Sequence, residues 1–521
     1  ARAVRPFSIL KVSQYARSVR FVELVRVSQA VASTRSRTQK VEHLAAVLAG
    51  LAPEEAASAV SFLSGSPRQD RLGIGYATVG GVRAVPANRP SLTIVDVDVA
   101  LEGISKESGP GSKHRKESLL NDLMERATTD EQDFLRGLIL RNLRQGALEG
   151  VMADAVAQAL EVPADQVRRS AMLEGDLTAV ATRSLAEGAA ALTRSELTVF
   201  TPIQPMLAKT ATSAGEAVES LGEAVVEWKL DGARVQVHRV GRRVAVYTRN
   251  LNDITGRVPE VVADALSFEA SSFILDGEAL LMARSGLPRP FQESMSRFGS
   301  GDDVAGPDLR AFYFDCLHLD GEDLIDLPLS DRRNRWPQRL PPTAVVGSLV
   351  TDDPTGANRF FDQTVASGFE GVVVKALDQP YQAGRRGAGW LKVKPTHTLD
   401  LVVMAAEWGS GRRSGWLSNI HLGARGEGGE LVMLGKTFKG LTDEMLQWQT
   451  GRFLEIEDHR SGHVVYVKPE LVYEIAFDGV QRSTRYPGGV ALRFARVKRY
   501  RDDKGPNDAD TIATVRSFMR G

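Results

Sequence analysis

A lysine between a short apolar segment and an Asp-Gly turn is the residue of this sequence best suited to covalent chemistry. In EWKLDGARVQVHR, Lys229 ends a predicted strand, Asp231 opens the turn, and Arg234 begins the next strand. A lysine amine becomes a nucleophile when it loses its proton, which nearby cations and burial favour. Lys392 and Lys394 of WLKVKP could supply that charge, because alternating residues point to one face of a strand. A lysine beside a turn is common, so this motif alone is a weak signal.

Acidic residues in the same region widen the possible chemistry. ILDGEAL carries Asp276 and Glu278 at a predicted strand end, and FEGVVVK carries Glu370 and Lys375. Taken singly, each acid is more simply a solvated turn residue. Together with the lysines they suit Mg²⁺ and a triphosphate, because hard cations prefer oxygen ligands. The combination therefore predicts a site for nucleotide phosphates.

The elements that must position these residues fall into three regions. Residues 22–200 space their apolar residues by three and four, as in KVEHLAAVLAGLAPEEAASAVSFLSG, and predict an all-α domain. SLTIVDVDVAL is the exception, since its alternation predicts a small irregular insert there. Residues 201–397 contain short β-rich segments with helices between them, which predict an α+β domain. Residues 398–521 contain short strands separated by glycine turns, which predict a small barrel.

Composition limits the class of protein. The 521 residues include 65 Lys and Arg against 65 Asp and Glu, so the net charge is zero and any basic nucleic-acid surface must be local. The single cysteine, Cys316, excludes a disulfide framework and a four-cysteine zinc site, and we expect it to be a buried apolar residue. No apolar run is long enough for a membrane span. We expect an intracellular protein of the cytoplasm or nucleoid, with residues 1–21 as a flexible basic extension.

In order and spacing, the motifs resemble those of ATP-dependent DNA ligases of archaea, eukaryotes and accessory bacterial enzymes. The resemblance extends over about residues 22–521. A lone KxDG motif is weak, whereas the full ordered set is highly specific. The set comprises Lys229-Leu230-Asp231-Gly232-Ala233-Arg234, Arg249 in YTRN, Asp276-Gly277-Glu278, Phe314 in FYFD, Glu370-Gly371, Lys392 and Lys394, and Arg501, Asp503 and Lys504 in RYRDDKGP.

The resemblance implies a multidomain fold and a complete reaction. It implies a helical DNA-binding domain (22–200), an α+β nucleotidyltransferase domain of the ATP-grasp-like adenylation type (201–397), and a β-barrel OB-fold domain (398–521). The enzyme would bind ATP and Mg²⁺, with Mn²⁺ as an alternative, and seal nicks in duplex DNA as a monomer. Its steps would be adenylation of Lys229, transfer of AMP to a 5′-phosphate, and attack by the 3′-hydroxyl.

The resemblance also implies a role for each site residue. Lys229 would attack the α-phosphorus of ATP. Glu227 would lie near the adenine amino group, Phe314 would stack on adenine, and Glu278 would hold the ribose hydroxyls. Glu370 and Asp231 would hold the metal ion. The other nucleotide and phosphate contacts would come from Arg234, Arg249, Arg386, Lys392 and Lys394.

Two further sets of residues follow from the same resemblance. Arg501, Asp503 and Lys504 would act at the pyrophosphate leaving group, after which the barrel would swing towards the DNA. Contacts to DNA phosphates would set salt-dependent affinity without reading base sequence. The candidates for those contacts in the helical region are Ser112, Lys113, Arg141 and Arg144.

Other functions share parts of this pattern. An RNA ligase or an mRNA guanylyltransferase would use the same core, but the long helical region favours a DNA ligase. An NAD-dependent ligase would carry a four-cysteine zinc module, which a single cysteine opposes. A DNA-binding clamp with a decayed site would not retain Lys229, Glu278 and Glu370. His238, in the strand after the turn, is expected to be structural.

Overall fold

The computed structural model describes residues 19–69, 71–143, 149–284, 286–289, 293, 309–382 and 386–519, without the side chains of 386–388. Within the described residues of the N-terminal part, the regular structure is helical. The α-helices there are α1 (Phe21–Ser33), α2 (Arg37–Leu48), α3 (Pro53–Leu63), α4 (Tyr76–Gly81), α5 (Ile94–Lys106), α6 (Ser112–Arg126), α7 (Thr129–Ile139), α8 (Glu149–Ala159), α9 (Ala164–Glu174) and α10 (Leu177–Glu187). Their apolar faces share one core, in which Phe21 makes edge contacts with Phe62 and Phe134.

Helix α5 corrects the interpretation of SLTIVDVDVAL as an irregular insert. The helix begins with a capping box, in which the Thr93 hydroxyl accepts from the Asp96 backbone and the Asp96 carboxylate accepts from the Thr93 backbone. Ile94, Val97 and the later apolar residues at helical spacing are buried, whereas Val99 is exposed. The segment alternates apolar and polar residues as a strand would, but it forms a helix that buries one face.

The central part contains two five-stranded sheets. Its strands are β1 (Leu207–Thr210), β2 (Ala224–Lys229), β3 (Ala233–Val240), β4 (Arg243–Thr248), β5 (Ser272–Leu281), β6 (Leu309–Leu319), β7 (Glu322–Asp323), β8 (Ser348–Thr351), β9 (Gly371–Ala376) and β10 (Arg386–Val393). One sheet has the order β1-β10-β9-β2-β8 and the other β4-β3-β5-β6-β7. The turn after Lys229 therefore crosses from the first sheet to the second.

Helices and short 3₁₀ turns flank these sheets. The helices are α11 (Ala214–Leu221), α12 (Pro259–Ser267), α13 (Leu329–Arg333) and α14 (Pro354–Ala366). Asp276 and Glu278 lie in the middle of β5, not at a strand end as the sequence predicted, because β5 continues to Leu281 and pairs with both β3 and β6. Over the whole chain, the 3₁₀ turns are Ala189–Arg194, Thr255–Arg257, Pro337–Arg339, Pro342–Ala344, Gly411–Arg413 and Pro506–Asp508.

The C-terminal part is built from short antiparallel strands. They are β11 (His397–Trp408), β12 (Leu417–Arg425), β13 (Leu431–Thr437), β14 (Glu457–Ser461), β15 (Val464–Val467), β16 (Val472–Phe477), β17 (Gly479–Arg482), β18 (Val490–Arg493) and β19 (Arg496–Tyr500), with helices α15 (Asp443–Glu455) and α16 (Ile512–Ser517). The long β11 pairs with β12, β15 and β16, while β17 and β18 form a separate hairpin. Leucine, isoleucine and valine side chains of these strands form a core of their own.

The helical part packs against the central sheets. Met172 and Leu173 of α9 share a hydrophobic cluster with Ile203 and with Ile325 beyond β7. Arg169 of the same helix forms a two-bond ion pair with Asp326. The described helices include none that is both long and apolar enough to cross a lipid bilayer.

A buried ion pair makes the central part sensitive to one substitution. Arg332 of α13 donates to both carboxylate oxygens of Asp315 on β6, at 2.7 and 2.8 Å, and both side chains are buried. Arg332→Met is expected to destabilise the domain by about 3–5 kcal/mol, because it leaves a buried carboxylate without its cation. Denaturant unfolding, followed by a signal from the central domain, measures the decrease in the free energy of unfolding.

The matched control for this change is Arg335→Met. Arg335 pairs with Glu322 at the surface, where both side chains are substantially exposed. Surface pairs contribute about 1 kcal/mol or less. Equal effects of the two substitutions would show that the Arg332 pair does not stabilise the fold.

Candidate active site

Lys229 lies where the two central sheets meet, and it touches a carboxylate. It is the last residue of β2, opposite Gly371 of β9, and its carbonyl accepts a 3.0 Å hydrogen bond from the Glu370 backbone. The Lys229 ammonium contacts one carboxylate oxygen of Glu370, and the Lys394 ammonium contacts the other. Three residues from separate motifs therefore converge in one cluster, because β2, β9 and β10 are neighbours.

The two lysines keep Glu370 ionised. Burial by itself would raise the pKa of Glu370, but the charges and hydrogen bonds of Lys229 and Lys394 outweigh it and leave that pKa below its usual value. The Lys229 and Lys394 ammonium groups therefore flank the Glu370 carboxylate, and Asp478 lies 3.5 Å from Lys394. The two ammonium groups suit a phosphate group, and the carboxylate suits a hard metal ion.

Glu278 faces the same cleft from the second sheet. It lies opposite Arg234 in the pairing of β3 with β5, and its carboxylate accepts a 3.2 Å bond from the Gly232 backbone. Burial raises its pKa to about 7, although Lys229 and Arg234 oppose that shift. Gly232 is required here because a Cβ would lie 2.4 Å from the carbonyl oxygen of Ala279.

An aromatic wall lies beside these charges. Phe314 and Trp390 meet edge to face with ring centroids 6.0 Å apart. The Arg234 guanidinium carbon lies 5.1 Å from the centre of the Phe314 ring, and the Lys375 ammonium lies 4.5 Å from it. Aromatic rings flanked by cations can hold a base by stacking.

Asp276 is occupied by structural partners. Its oxygens accept from Arg234 at 2.9 and 2.5 Å and from the Tyr381 hydroxyl at 2.7 Å, and it is buried. It therefore serves to fix Arg234 and is not a solvated turn residue, which is the simpler interpretation of each acid taken singly.

Glu227 is held between two cations at the back of the cleft. Lys375 lies 2.6 Å from one carboxylate oxygen, and Arg333 donates to the other at 2.6 Å. Arg333 also donates to the hydroxyl of Ser348 at 2.9 Å, and Lys375 to the carbonyl of Phe314 at 3.1 Å. Burial lowers the pKa of Lys375 despite its partner Glu227. We call Glu227, Arg333 and Lys375 the Glu227 clamp.

The barrel reaches the cleft through the end of its β17–β18 hairpin. Arg493 donates to both oxygens of Asp231, at 2.5 and 3.2 Å, across 262 residues of chain. Asp478 lies 3.5 Å from the Lys394 ammonium. Phe494, the residue after Arg493, is 54% exposed, and its ring centre lies 5.8 Å from the Lys394 ammonium and 5.3 Å from the Lys439 ammonium. This face of the barrel thus brings an exposed aromatic ring and several cations to the rim of the cleft.

The predicted leaving-group residues lie elsewhere on the barrel. Arg501 donates to Asp400 and to Asp503, and Lys504 lies 2.6 Å from Asp400. The ion pairs of these three described residues end on Asp400 and on each other, and none of them reaches Lys229 or Glu370. In this conformation the hairpin, and not the Arg501 segment, contacts the active site.

The other predicted residues are distributed as follows. Arg249 is exposed in the turn after β4, and Lys392 is half-buried on β10 opposite Val373. Ser112 begins α6, Lys113 is exposed on its first turn, and Arg141 follows α7 with a positive φ of 51°. The Arg386 side chain and Arg144 lie outside the described residues. Cys316 is buried, and buried His238 accepts from the Phe200 backbone at 2.9 Å, with burial lowering its pKa to about 3.

Sequence reasoning missed the partners that hold the site residues. Lys375 was counted only among the lysines suited to a triphosphate, and Arg493, in the basic stretch ALRFARVKRYRDDK near the C-terminus, had no individual role assigned to it. Arg333 carried no signal, since it lies in a five-residue helix outside every motif.

Comparison with known proteins decides the family. Family models match residues 205–394 (ATP dependent DNA ligase domain), 413–504 (ATP dependent DNA ligase C terminal region) and 79–157 (DNA ligase N terminus). A probable DNA ligase of Anaeromyxobacter sp. (strain Fw109-5) is 53% identical over 508 residues, covering 96% of this chain and 98% of the relative. One of Rhodococcus jostii (strain RHA1) is 52% identical over 505 residues, covering 96% and 100%. The chain belongs to the ATP-dependent DNA ligases.

The solved structure named Pmar-Lig_PreS3 supports the fold of this ligase. It superposes with a TM-score of 0.60 over 92% of this chain and 99% of its own, at 18% identity. The family models and the helices of the N-terminal part confirm the coarse architecture of helical, nucleotidyltransferase and OB-fold regions. Family membership also confirms the predicted activity: this DNA ligase uses ATP to seal nicks through an enzyme-adenylate. The competing interpretations as an RNA ligase, a guanylyltransferase, an NAD-dependent ligase or a decayed clamp are set aside.

The raised pKa of Glu278 predicts a pH-dependent stability. A carboxyl group with a pKa of about 7 when folded, against its ordinary 4.5, costs stability that grows as pH rises from 4.5 to 7. Above pH 7 the cost is complete, about 3 kcal/mol. Glu278→Gln removes the charge and is expected to stabilise the ligase at pH 8 and hardly at all at pH 4.5, as measured by denaturant unfolding at both values.

The control is Glu322→Gln, since Glu322 is exposed and pairs only at the surface. It is expected to change stability by less than about 0.5 kcal/mol at either pH. A Glu278→Gln effect that is the same at both pH values would contradict an ionisation penalty. The same substitution should weaken ATP binding if Glu278 holds the ribose.

Proposed function

We propose that Lys229 is the residue that carries AMP in this ligase. The supporting observation is the cluster in which Lys229 and Lys394 share the Glu370 carboxylate. After ATP displaces that contact, the Lys229 amine loses its proton and attacks the α-phosphorus. The new phosphorus–nitrogen bond forms as the bond to pyrophosphate breaks, and Lys394 offsets the charge that develops.

The remaining steps follow from the same site. An oxygen of the 5′-phosphate at the nick displaces Lys229 from the AMP phosphorus. The 3′-hydroxyl then attacks the activated 5′-phosphorus, which releases AMP and joins the strands. Keeping these steps in one cleft avoids exposing the activated phosphate to water.

We propose that the base of ATP stacks on Phe314 with Glu227 and Lys375 at its edge. Adenine has an amino donor beside a ring-nitrogen acceptor, and the clamp offers a carboxylate acceptor beside an ammonium donor 2.6 Å away. Glu278 would hold the ribose. Arg234, Arg249, Arg386 and Lys392 complete the proposed nucleotide contacts.

We propose Mg²⁺, or Mn²⁺, as the metal, with Glu370 and Asp231 as protein ligands. The donor set fits, since Mg²⁺ often takes one or two carboxylates together with substrate phosphates and water. Within the described ranges, no three acidic, histidine or cysteine side chains form a metal cage of their own. The metal would supply charge neutralisation at the phosphates. Asp231 is bound to Arg493 in this conformation and would have to leave that pair.

We propose that nicked duplex DNA is gripped by a monomer through the helical and barrel regions. Support comes from Lys113, Ser112 and Arg141 on the helical part and from Phe494 of the barrel, whose ring lies near two lysine ammonium groups. Arg144 is retained as a proposed phosphate contact.

The regions 1–21, 22–200, 201–397 and 398–521 remain our proposed division of the chain into domains, with an ATP-grasp-like central domain. We place the enzyme in the cytoplasm or nucleoid, where it would meet its DNA substrate.

We propose that the barrel uses two faces in turn. The hairpin face, with Arg493, contacts the cleft in this conformation, whereas Arg501, Asp503 and Lys504 are tied to Asp400 and to each other. Rotation of the barrel would exchange these faces, so that the second set reaches pyrophosphate during adenylation. Domain closure of this kind separates two steps that need different partners.

The first experiment incubates the ligase with α-labelled ATP and Mg²⁺, followed by a chase with nicked duplex DNA. Label that attaches to the protein and leaves as nicks close supports the proposed sequence of steps. A parallel chase with a nicked RNA duplex tests which nucleic acid accepts AMP. Label that leaves the protein only when RNA is added would overturn the proposal that the enzyme binds and seals nicked DNA. Varying salt in the chase tests the phosphate contacts, since the loss of affinity with salt reports their number.

A further inference from the structure

Arg333 reaches the Glu227 clamp from outside every motif. It follows Arg332, whose buried pair with Asp315 fixes the position of α13. From this anchored helix the Arg333 side chain extends to β2 and β8, where it contacts Glu227 and Ser348. Its partner Glu227 is 106 residues earlier in the chain. The geometry therefore joins a short helix to the strand that carries Lys229.

The clamp fixes both oxygens of one carboxylate. Arg333 holds one oxygen and Lys375 the other, each at 2.6 Å, and Glu227 is only 1% exposed. A buried carboxylate that is held by two cations cannot rotate without breaking one of the two contacts. Without Arg333, Lys375 would still hold one oxygen of the Glu227 carboxylate, but the other oxygen would lose its Arg333 partner.

Fixing this carboxylate matters because its oxygens accept hydrogen bonds, whereas the Lys375 ammonium 2.6 Å away donates them. Adenine presents a donor at its amino group and an acceptor at the neighbouring ring nitrogen, whereas guanine presents the reverse order. The Glu227 carboxylate, as an acceptor beside the Lys375 ammonium donor, matches adenine. If the Glu227 carboxylate rotated and bonded Lys375 with both oxygens, Lys375 could no longer donate a hydrogen bond to the ring nitrogen of adenine.

We infer that Arg333 is a positioning residue for base recognition, which keeps Glu227 and Lys375 in the order that selects adenine over guanine. The inference rests on the proposed contact between Glu227 and the base. Arg333 touches Glu227 and Ser348 and acts on the nucleotide only through the carboxylate.

The test measures formation of the enzyme-adenylate or enzyme-guanylate in single turnovers over a range of ATP and GTP concentrations. Arg333→Ala is expected to raise the half-saturating ATP concentration about tenfold to a hundredfold, the scale of one lost charge-assisted hydrogen bond. The rate at saturating ATP should stay within about threefold of the wild type, and the preference for ATP over GTP should fall about tenfold. Arg333→Lys should recover part of both, and Ser348→Ala should cause a smaller change in the same direction.

The matched control is Arg359→Ala, which removes an exposed arginine of α14 paired with Asp353 at 3.6 Å. It should leave both quantities unchanged. If Arg333→Ala lowers the melting temperature, Arg333→Lys and Ser348→Ala decide the question in folded protein. An unchanged ATP requirement with an unchanged preference, or a slower saturated rate alone, would overturn the inference.

Glu227→Gln separates this inference from the function on which it rests. If Glu227→Gln weakens the preference for ATP and Arg333→Ala does not, the base contact holds and the role of Arg333 is wrong. If Glu227→Gln itself leaves the preference unchanged, the proposed base contact is wrong. The double variant should be no worse than Glu227→Gln, because both changes act through one carboxylate.

Discussion

Lys229→Ala is expected to abolish adenylation of the ligase and sealing driven by ATP, each by at least about 10⁴-fold. The first step consumes the Lys229 amine, and no other described lysine shares its position: Lys394 is held by Glu370 and Asp478, and Lys375 by Glu227. Labelled ATP on a denaturing gel measures the first loss, and closure of a nicked duplex measures the second.

The same variant should still seal a nick that already carries AMP on its 5′-phosphate, within about a hundredfold of the wild type. That substrate has passed the steps that need the amine, and the remaining step uses the 3′-hydroxyl. Lys106→Ala, which removes an exposed lysine of α5, is the matched control for loss of charge. Label on the Lys229→Ala protein would place the nucleophile elsewhere.

The motifs shared with DNA ligases include the three residues of the cluster, and the structure brings these residues together because the strands beside them, β2, β9 and β10, are neighbours. Lys229 pairs across β2 with Gly371, so Glu370 is brought beside it without any further requirement. Lys229, Glu370 and Lys394 were assigned through the resemblance to DNA ligases, and the order of the strands explains why they meet. The pairings of Glu227 with Arg333 and of Asp231 with Arg493 were not predictable, because they join segments 106 and 262 residues apart.

Two local sequence patterns show where prediction from the spacing of apolar or charged residues fails. SLTIVDVDVAL alternates like a strand, yet the capping box at Thr93 and Asp96 starts a helix and one face of it is buried. In the tail, Arg493 and Arg501 belong to one basic run, but Arg493 ends β18 while Arg501 follows β19. The pairing register of β19 with β16 places Arg501 beside Asp400. The order of charged residues along the sequence does not reveal that register.

Glu370→Gln is expected to slow adenylation about 10²–10³-fold, the scale of losing one charged group that acts at the transition state. The amide keeps the shape of the side chain but leaves the ammonium groups of Lys229 and Lys394 without their shared negative charge. If Glu370 also holds Mg²⁺, the half-saturating Mg²⁺ concentration should rise at least about threefold. Both are measured by titrating Mg²⁺ in the labelling assay, with Glu322→Gln as the control.

The two readouts separate two roles of one carboxylate. A slower reaction with an unchanged Mg²⁺ requirement would show that Glu370 only neutralises Lys229 and Lys394, and would leave Asp231 as the remaining proposed protein ligand of the metal. In that case Arg493→Ala, which frees Asp231 from the ion pair across the domains, should lower the Mg²⁺ requirement. A Glu370→Gln enzyme that is as fast as the wild type at every Mg²⁺ concentration would contradict both roles, and the lysine cluster would then be a structural ion pair beside the reacting phosphate.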